Sequence, residues 1–398
     1  MTPVRSAARR LAAGVLVGVA MLAACTSRQS GAGTSGDGVV SSVGATPVLS
    51  GGATGGEGSS AAAPTTSTGS SRAPAPAPSR EPRPASDRAP TGAAVTIAFA
   101  GDVHFEGASR RALAGLGPEG TVLSAADLAV VNLETAITDR GSPQPKEFNF
   151  RAPATAFQAL RSAGVDVVTM ANNHGMDFGQ VGLSDSLSAA AAAHFPVIGI
   201  GNDEAAAYAP YRVTIAGQRI AVIGATQVLD DQFVDSWAAG PHKPGLASAK
   251  RVDALVTAVR AARASADTVI VFLHWGAELA GCPTARQREL APALEAAGAD
   301  IIIGSHAHVQ LGGGWAPGGA YVDYGLGNFV FYANGGPQAR TGVLVLTVRG
   351  RAVTDAAWAP AVIAGGLPVP LTNDAAADAV ADWNALRDCA GLSSHPPA

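Results

Sequence analysis

From residue 93 onward, short and nearly continuous runs of β-branched and other apolar residues alternate with Ala/Leu-rich stretches. That alternation most narrows what the chain can fold into. Strands are expected at 95–100, 128–132, 165–170, 220–224, 268–273 and 300–304, and helices at 154–163, 183–193, 249–264 and 285–297. Runs that are apolar at every position suit sheets covered on both faces. Strand-like runs at 321–331 and 342–348 have no helix between them, so antiparallel or mixed pairing is expected there. A last helix at 374–386 follows the cap candidate Thr372-Asn373. The expected class is α/β with mixed sheets, and about 300 residues suffice for one large core.

The first 92 residues have a different character. Arg5, Arg9 and Arg10 precede a short apolar stretch at 11–22, and Leu22-Ala23-Ala24-Cys25 closes it. This is the pattern of a secretory signal at 1–25. The tetrapeptide resembles a bacterial lipobox, in which Cys25 is lipidated and becomes the first mature residue. Residues 26–92 are almost wholly Ser, Gly, Ala, Thr and Pro. They bury too little apolar surface to offset their ordering entropy. As a flexible chain they reach roughly 40–50 Å, enough to hold a folded body away from a membrane. The expected organisation is a signal at 1–25, a linker at 26–92, a domain at 93–365 and a C-terminal helix and tail at 366–398. The expected location is extracytoplasmic, anchored by lipid to a bacterial membrane.

Net charge is −4, and −7 without the three arginines of the signal, which argues against nucleic acid as a partner. No run of 18 apolar residues follows residue 25, so no transmembrane helix is expected. Cys282 and Cys389 are the two further cysteines. In an oxidising compartment such a pair favours a disulfide, worth up to ~4.7 kcal/mol on the chain-entropy model for a loop of about 100 residues. Two unpaired buried thiols are the alternative.

The polar residues fall at the ends of the expected strands. The first strand runs into Asp102-Val103-His104, where an i, i+2 pair points to one side. The others run into Glu134, into Asn172-Asn173-His174, into His274, and into His306-Ala307-His308. Five of the eight histidines thus sit where α/β sheets place ligands. His194, His242 and His395 are expected to be solvated or structural. Burying so many polar groups without a partner would cost several kcal/mol, so a binuclear metal site is expected. Mixed carboxylate, amide and imidazole donors suit two divalent ions such as Mn, Fe or Zn.

Gly101-Asp102-Val103-His104, Asn132-Leu133-Glu134, Asn172-Asn173-His174, His274-Trp275-Gly276, Gly304-Ser305-His306-Ala307-His308 and Gly325-Leu326-Gly327-Asn328-Phe329 follow one another in order. Together, over about residues 94–365, they resemble the CapA family, the capsule or poly-γ-glutamate biosynthesis branch of the calcineurin-like metallophosphoesterases. The resemblance implies a four-layer α/β/β/α sandwich with metals at the strand ends. It implies Asp102, His104 and His308 on one ion, Asn173, His274 and His306 on the second, and Glu134 bridging them. His174 would be the catalytic histidine that protonates or stabilises the leaving group.

Substrate contacts are expected from Glu278, Asn328 and Arg151, with Lys146 as a further anion contact. Solvated or structural roles are the alternative for each. Gly312-Gly313-Gly314 lacks the Lys-Ser/Thr of a phosphate loop. The resemblance implies a metal-dependent hydrolase acting on an anionic polymer or phosphoester, alongside capsule-synthesis machinery. A phosphoesterase unrelated to polyglutamate and a polymer-holding scaffold without catalysis are the rivals.

Overall fold

The computed structural model describes residues 93–333 and 335–397. The expected signal, Cys25 and the 26–92 linker lie outside the described residues. We number the strands that build the two main sheets β1 (Val95–Val103), β2 (Leu128–Leu133), β3 (Val167–Thr169), β4 (Val197–Ile198), β5 (Tyr211–Ile215), β6 (Gln218–Thr226) and β7 (Thr268–His274). They continue with β8 (Ile301–Ser305), β9 (Gly313–Trp315), β10 (Tyr321–Asp323), β11 (Asn328–Val330), β12 (Arg340–Arg349), β13 (Ala352–Ala364) and β14 (Leu367–Pro370). The principal helices are α1 (Thr155–Ser162), α2 (Gly179–Ala192), α3 (Val252–Arg263), α4 (Ala285–Ala297) and α5 (Asn373–Ala390).

The first sheet has the order β14-β13-β12-β1-β2-β3-β4, with β11 beside the end of β1. Its half from β1 to β4 is parallel, and β12 to β14 pair antiparallel. The second sheet has the order β9-β10-β8-β7-β6-β5 and is parallel from β6 through β10, with antiparallel edges. Both sheets are mixed.

Period-two alternation explains the stacking. Ile97 and Phe99 face an apolar cluster shared with Ile270, Phe272, Ile301 and Ile303 of the other sheet. Ala98 and Ala100 face Phe157, Leu160 and Leu183 of α1 and α2. Val269, Val271 and Leu273 face Leu255, Val259, Leu290 and Leu294 of α3 and α4. The order across the molecule is helices, sheet, sheet, helices. All of these side chains are buried, which is why the strands read as uninterrupted apolar runs.

The run expected as one strand region at 321–331 is divided. β10 pairs parallel with β8 in the second sheet, whereas β11 pairs parallel with the end of β1 in the first. Residues 324–327 carry the chain across. Gly327, at φ 73°, lays its carbonyl against Gly101, where an added Cβ would meet it at 1.8 Å. A period-two pattern records alternation, not which sheet a strand joins. Residues 367–370, expected beyond the domain, form edge strand β14, where Pro368 and Pro370 are tolerated. α5 runs on past the expected 386 to Ala390. Its Trp383 stacks on Trp358 at 5.2 Å, and a disulfide joins Cys282 to Cys389 with Cα atoms 5.7 Å apart. Among the described residues, no helix is long and apolar enough to cross a membrane.

Candidate metal centre

Strand register sets the centre of the site. Asp102 lies opposite Asn132 on one side and Asn328 on the other. Its Oδ1 accepts from Asn132 Nδ2 at 2.8 Å, and its Oδ2 accepts from the His306 backbone N–H at 3.1 Å. His308 Nδ1 stands 3.3 Å from the same Oδ2. Burial pushes the Asp102 carboxyl up, but the His308 hydrogen bond and the charges of His308 and His274 more than reverse this and hold it below its ordinary value. His306 and His308 both occupy the left-handed region, at φ 88° and 57°. Such backbone costs about 1–3 kcal/mol per residue and persists where surrounding bonds enforce it, as the His306 N–H bond to Asp102 does here.

Glu134, just past β2, is fully buried, and neither carboxylate oxygen accepts a hydrogen bond among the described residues. His274 Nε2 stands 3.4 Å from Oε1. Glu134 belongs to two groups whose ligand atoms lie within 4.8 Å of one another: one with Asp102 and His308, the other with His274 and His306. Asn173 Oδ1 approaches His274 Nε2 at 2.8 Å, and the buried Nδ1 of His306 is unpartnered. A buried carboxylate that accepts no hydrogen bond and lies among imidazole nitrogens is costly by itself and fits a cation. Burial, with the charges of His274 and His308, keeps the His306 imidazole well below its ordinary value. Burial also pushes His308 down, but Glu134 and Asp102 raise it to about 9.

His174 stands outside the three close groups of ligand atoms. Its Nδ1 meets Asp177 Oδ2 at 2.6 Å, which fixes the ring's orientation and tautomer. Asp177 is fully buried, accepts from the Phe150 N–H at 2.6 Å and pairs with Lys146 Nζ at 2.8 Å. Lys146, expected as an anion contact, is thus engaged by Asp177 and the Asn173 carbonyl. His104 stands outside the three close groups. Its ring packs against Phe150, Phe331 and Tyr332 at 4.6, 4.0 and 4.7 Å between ring centres. Burial, then the charges of His174 and His308, push it down to about 3.

Glu278 comes to the site's exposed side, in a third close group with His306 and His308. Asn328 reaches it as well, with Oδ1 2.8 Å from His308 Nδ1. Arg151 lies over the Phe178 ring at 5.0 Å and lines a separate cavity of about 300 Å³ with Glu106, Arg110 and Asp139. Asp177, Asn132, Asn172 and Ser305 carry supporting roles that the sequence analysis left unassigned. Asn172 Nδ2 donates to Asn132 Oδ1 at 3.0 Å, and Ser305 Oγ lies 2.9 Å from His274 Nδ1. The sequence signal for Asp177 was its place three residues after His174.

The family model "Bacterial capsule synthesis protein PGA_cap" matches residues 96–333. The PGA biosynthesis protein CapA of Bacillus subtilis is 33% identical over 214 residues, 53% of this chain and 54% of that protein. The capsule biosynthesis protein CapA of Bacillus anthracis is 33% identical over 235 residues, 57% of this chain and 55% of that protein. The chain thus spans about half the length of these curated relatives. Among solved structures, a phosphatase from Mycoplasma pneumoniae is 15% identical with a TM-score of 0.45, covering 68% of this chain and 95% of that one.

Proposed function

The chain belongs to the bacterial capsule synthesis protein PGA_cap family, and we propose that it is an envelope hydrolase of capsule or poly-γ-glutamate synthesis, working on an anionic polymer or a phosphoester. Two divalent ions, Mn, Fe or Zn by donor chemistry, would be held by Asp102 and His308 on one side and by Asn173, His274 and His306 on the other, with Glu134 between. The buried Glu134 carboxylate, shared by two donor groups and accepting no hydrogen bond, carries the proposal. When bound, such ions supply Lewis-acid polarisation of the scissile group and a water nucleophile at neutral pH.

The protein's own groups do the rest. Asn132 and the His306 N–H hold Asp102, and Asn328 holds His308, so the donors are oriented in advance. Asp177 holds His174 by Nδ1, leaving Nε2 to deliver a proton to the departing oxygen or amine. We place the body outside the cytoplasm, tethered through lipid on Cys25, with capsule-synthesis proteins as its partners. Replacing Cys25 by Ser is expected to release the protein from the membrane fraction.

The catalytic test is turnover of bis(p-nitrophenyl) phosphate and of a γ-glutamyl oligomer by the manganese-loaded full chain. Hydrolysis of either that is lost on chelation supports the proposal. Bound metal without hydrolysis of either would instead make the protein a polymer-holding scaffold.

A further inference from the structure

Among the described residues, three groups of ligand atoms meet at the strand ends, and the third contains Glu278, which is not among the donors assigned to the two ions. Glu278 lies with His306 and His308, the ligand atoms of all three within 4.8 Å of one another. The two histidines belong to different donor sets, His308 with Asp102 and His306 with His274, and Glu134 is common to both sets. Glu134 is fully buried and Glu278 is exposed, so one carboxylate closes the inner side of the centre and the other stands on its open side. Tyr332 records the same arrangement: burial, then the charges of Glu134 and Glu278, raise its phenol above the ordinary value.

The backbone that carries Glu278 is held at three points. Trp275, fully buried, donates its indole N–H to the Tyr324 carbonyl at 3.0 Å. The Leu279 N–H donates to the carbonyl of Ala307, the residue between the two histidines, at 2.9 Å. Cys282 is joined to Cys389 of α5. Leu279 takes a left-handed φ of 58°, which these bonds sustain. The Glu278 side chain itself is exposed, so it can rotate away while its loop stays in place. Its charge repels an anionic oxygen arriving from solvent, so the direct substrate contact expected from the sequence is the role it suits least. A carboxylate suits a cation, and there it competes with a substrate oxyanion for the same face.

We propose that Glu278 is a displaceable ligand of the metal pair: its carboxylate covers the open face when no substrate is bound and swings out when a phosphoryl or carboxylate oxygen takes its place. This rests on the metal pair proposed above. The cost is the same for every anion, because each binds only the fraction of molecules in which Glu278 has swung out.

The full chain loaded with cobalt, whose visible bands report the ligands around the ion, tests this with inorganic phosphate as the anion. Without phosphate, the bands of Glu278→Ala are expected to differ from those of the wild type; with saturating phosphate the two spectra should coincide. Phosphate should bind Glu278→Ala about tenfold more tightly, the factor set by an open fraction of about one tenth in the wild type. Glu278→Asp keeps the charge but is a methylene shorter on a pinned loop, and should bind phosphate to within about threefold of Glu278→Ala. Identical cobalt bands in the phosphate-free proteins, or weaker or unchanged phosphate binding in Glu278→Ala, would overturn the proposal. Wild-type phosphate affinity in Glu278→Asp would also overturn it, reducing Glu278 to a solvated, repelling charge. A wild type that takes up no cobalt would sink the metal pair and this inference together, whereas cobalt uptake with unaltered bands would sink the inference alone.

Discussion

Two buried regions of this protein leave polar atoms unpaired, and they answer the cost of burial differently. At the strand ends, Glu134 and His306 leave three buried atoms without partners. Beneath α5, Asp323 Oδ2 and Trp383 Nε1 do the same, and Asp323 Oδ2 and Tyr321 crowd Gly313, where an added Cβ would meet them at 2.6 and 2.9 Å. Asp102 and Asp323 are both fully buried. Yet Asp102 is held below its ordinary value by the neighbouring histidines, whereas burial raises Asp323 to about 7. The α5 pocket sets one acid among a phenol, an indole and glycine, and the nearby Arg387 guanidinium lowers its carboxyl by less than burial raises it, so a proton neutralises it. The strand ends gather two acids and three imidazoles in groups whose ligand atoms lie within 4.8 Å of one another, which one proton cannot satisfy and a cation can. Burial makes a polar group costly; convergence of donors decides what relieves it.

The contrast can be broken in three places. The largest effect is expected from His174→Ala, which should cut turnover by roughly 10²–10⁴-fold with metal content unchanged. A matching loss of metal would move His174 into the ligand set. Next, Asp323→Asn bears on the proton-neutralised region. A raised carboxyl binds its proton more tightly in the folded state, so stability falls as pH rises from about 4 to about 7. Urea unfolding at pH 8 should find the variant more stable than wild type by roughly 2–4 kcal/mol, with the gap closing near pH 4. No difference at pH 8 would mean that the pocket accepts charge. The smallest effect is expected from Asn328→Ala, which frees His308 Nδ1 and should weaken manganese binding by about 10–100-fold in calorimetry. An unchanged affinity would show that Asn328 merely orders its loop.

Much of the candidate metal centre was legible because it obeys a local rule: a buried strand ends, and the next polar residue stands at the sheet's carboxyl edge. Asp102, Glu134, His274 and the His306–His308 pair follow it. What escaped depends on hydrogen bonds and packing that sequence spacing does not report. The orientation of His104 is set by the Glu106 N–H, and no spacing rule reports which ring nitrogen that amide will meet. Arg151 is drawn to Phe178 and a separate cavity, since the course of the loop after Glu134 is set by packing. The crossing at 324–327 was hidden because β10 and β11 carry the same apolar signature in different sheets.

The most direct test is metal content by mass spectrometry after the full chain is equilibrated with manganese and desalted, for wild type beside Glu134→Gln. Two equivalents in the wild type and one or none in the variant are predicted. A wild-type protein that retains no manganese, or a variant that retains as much, would contradict a cation pair bridged by Glu134.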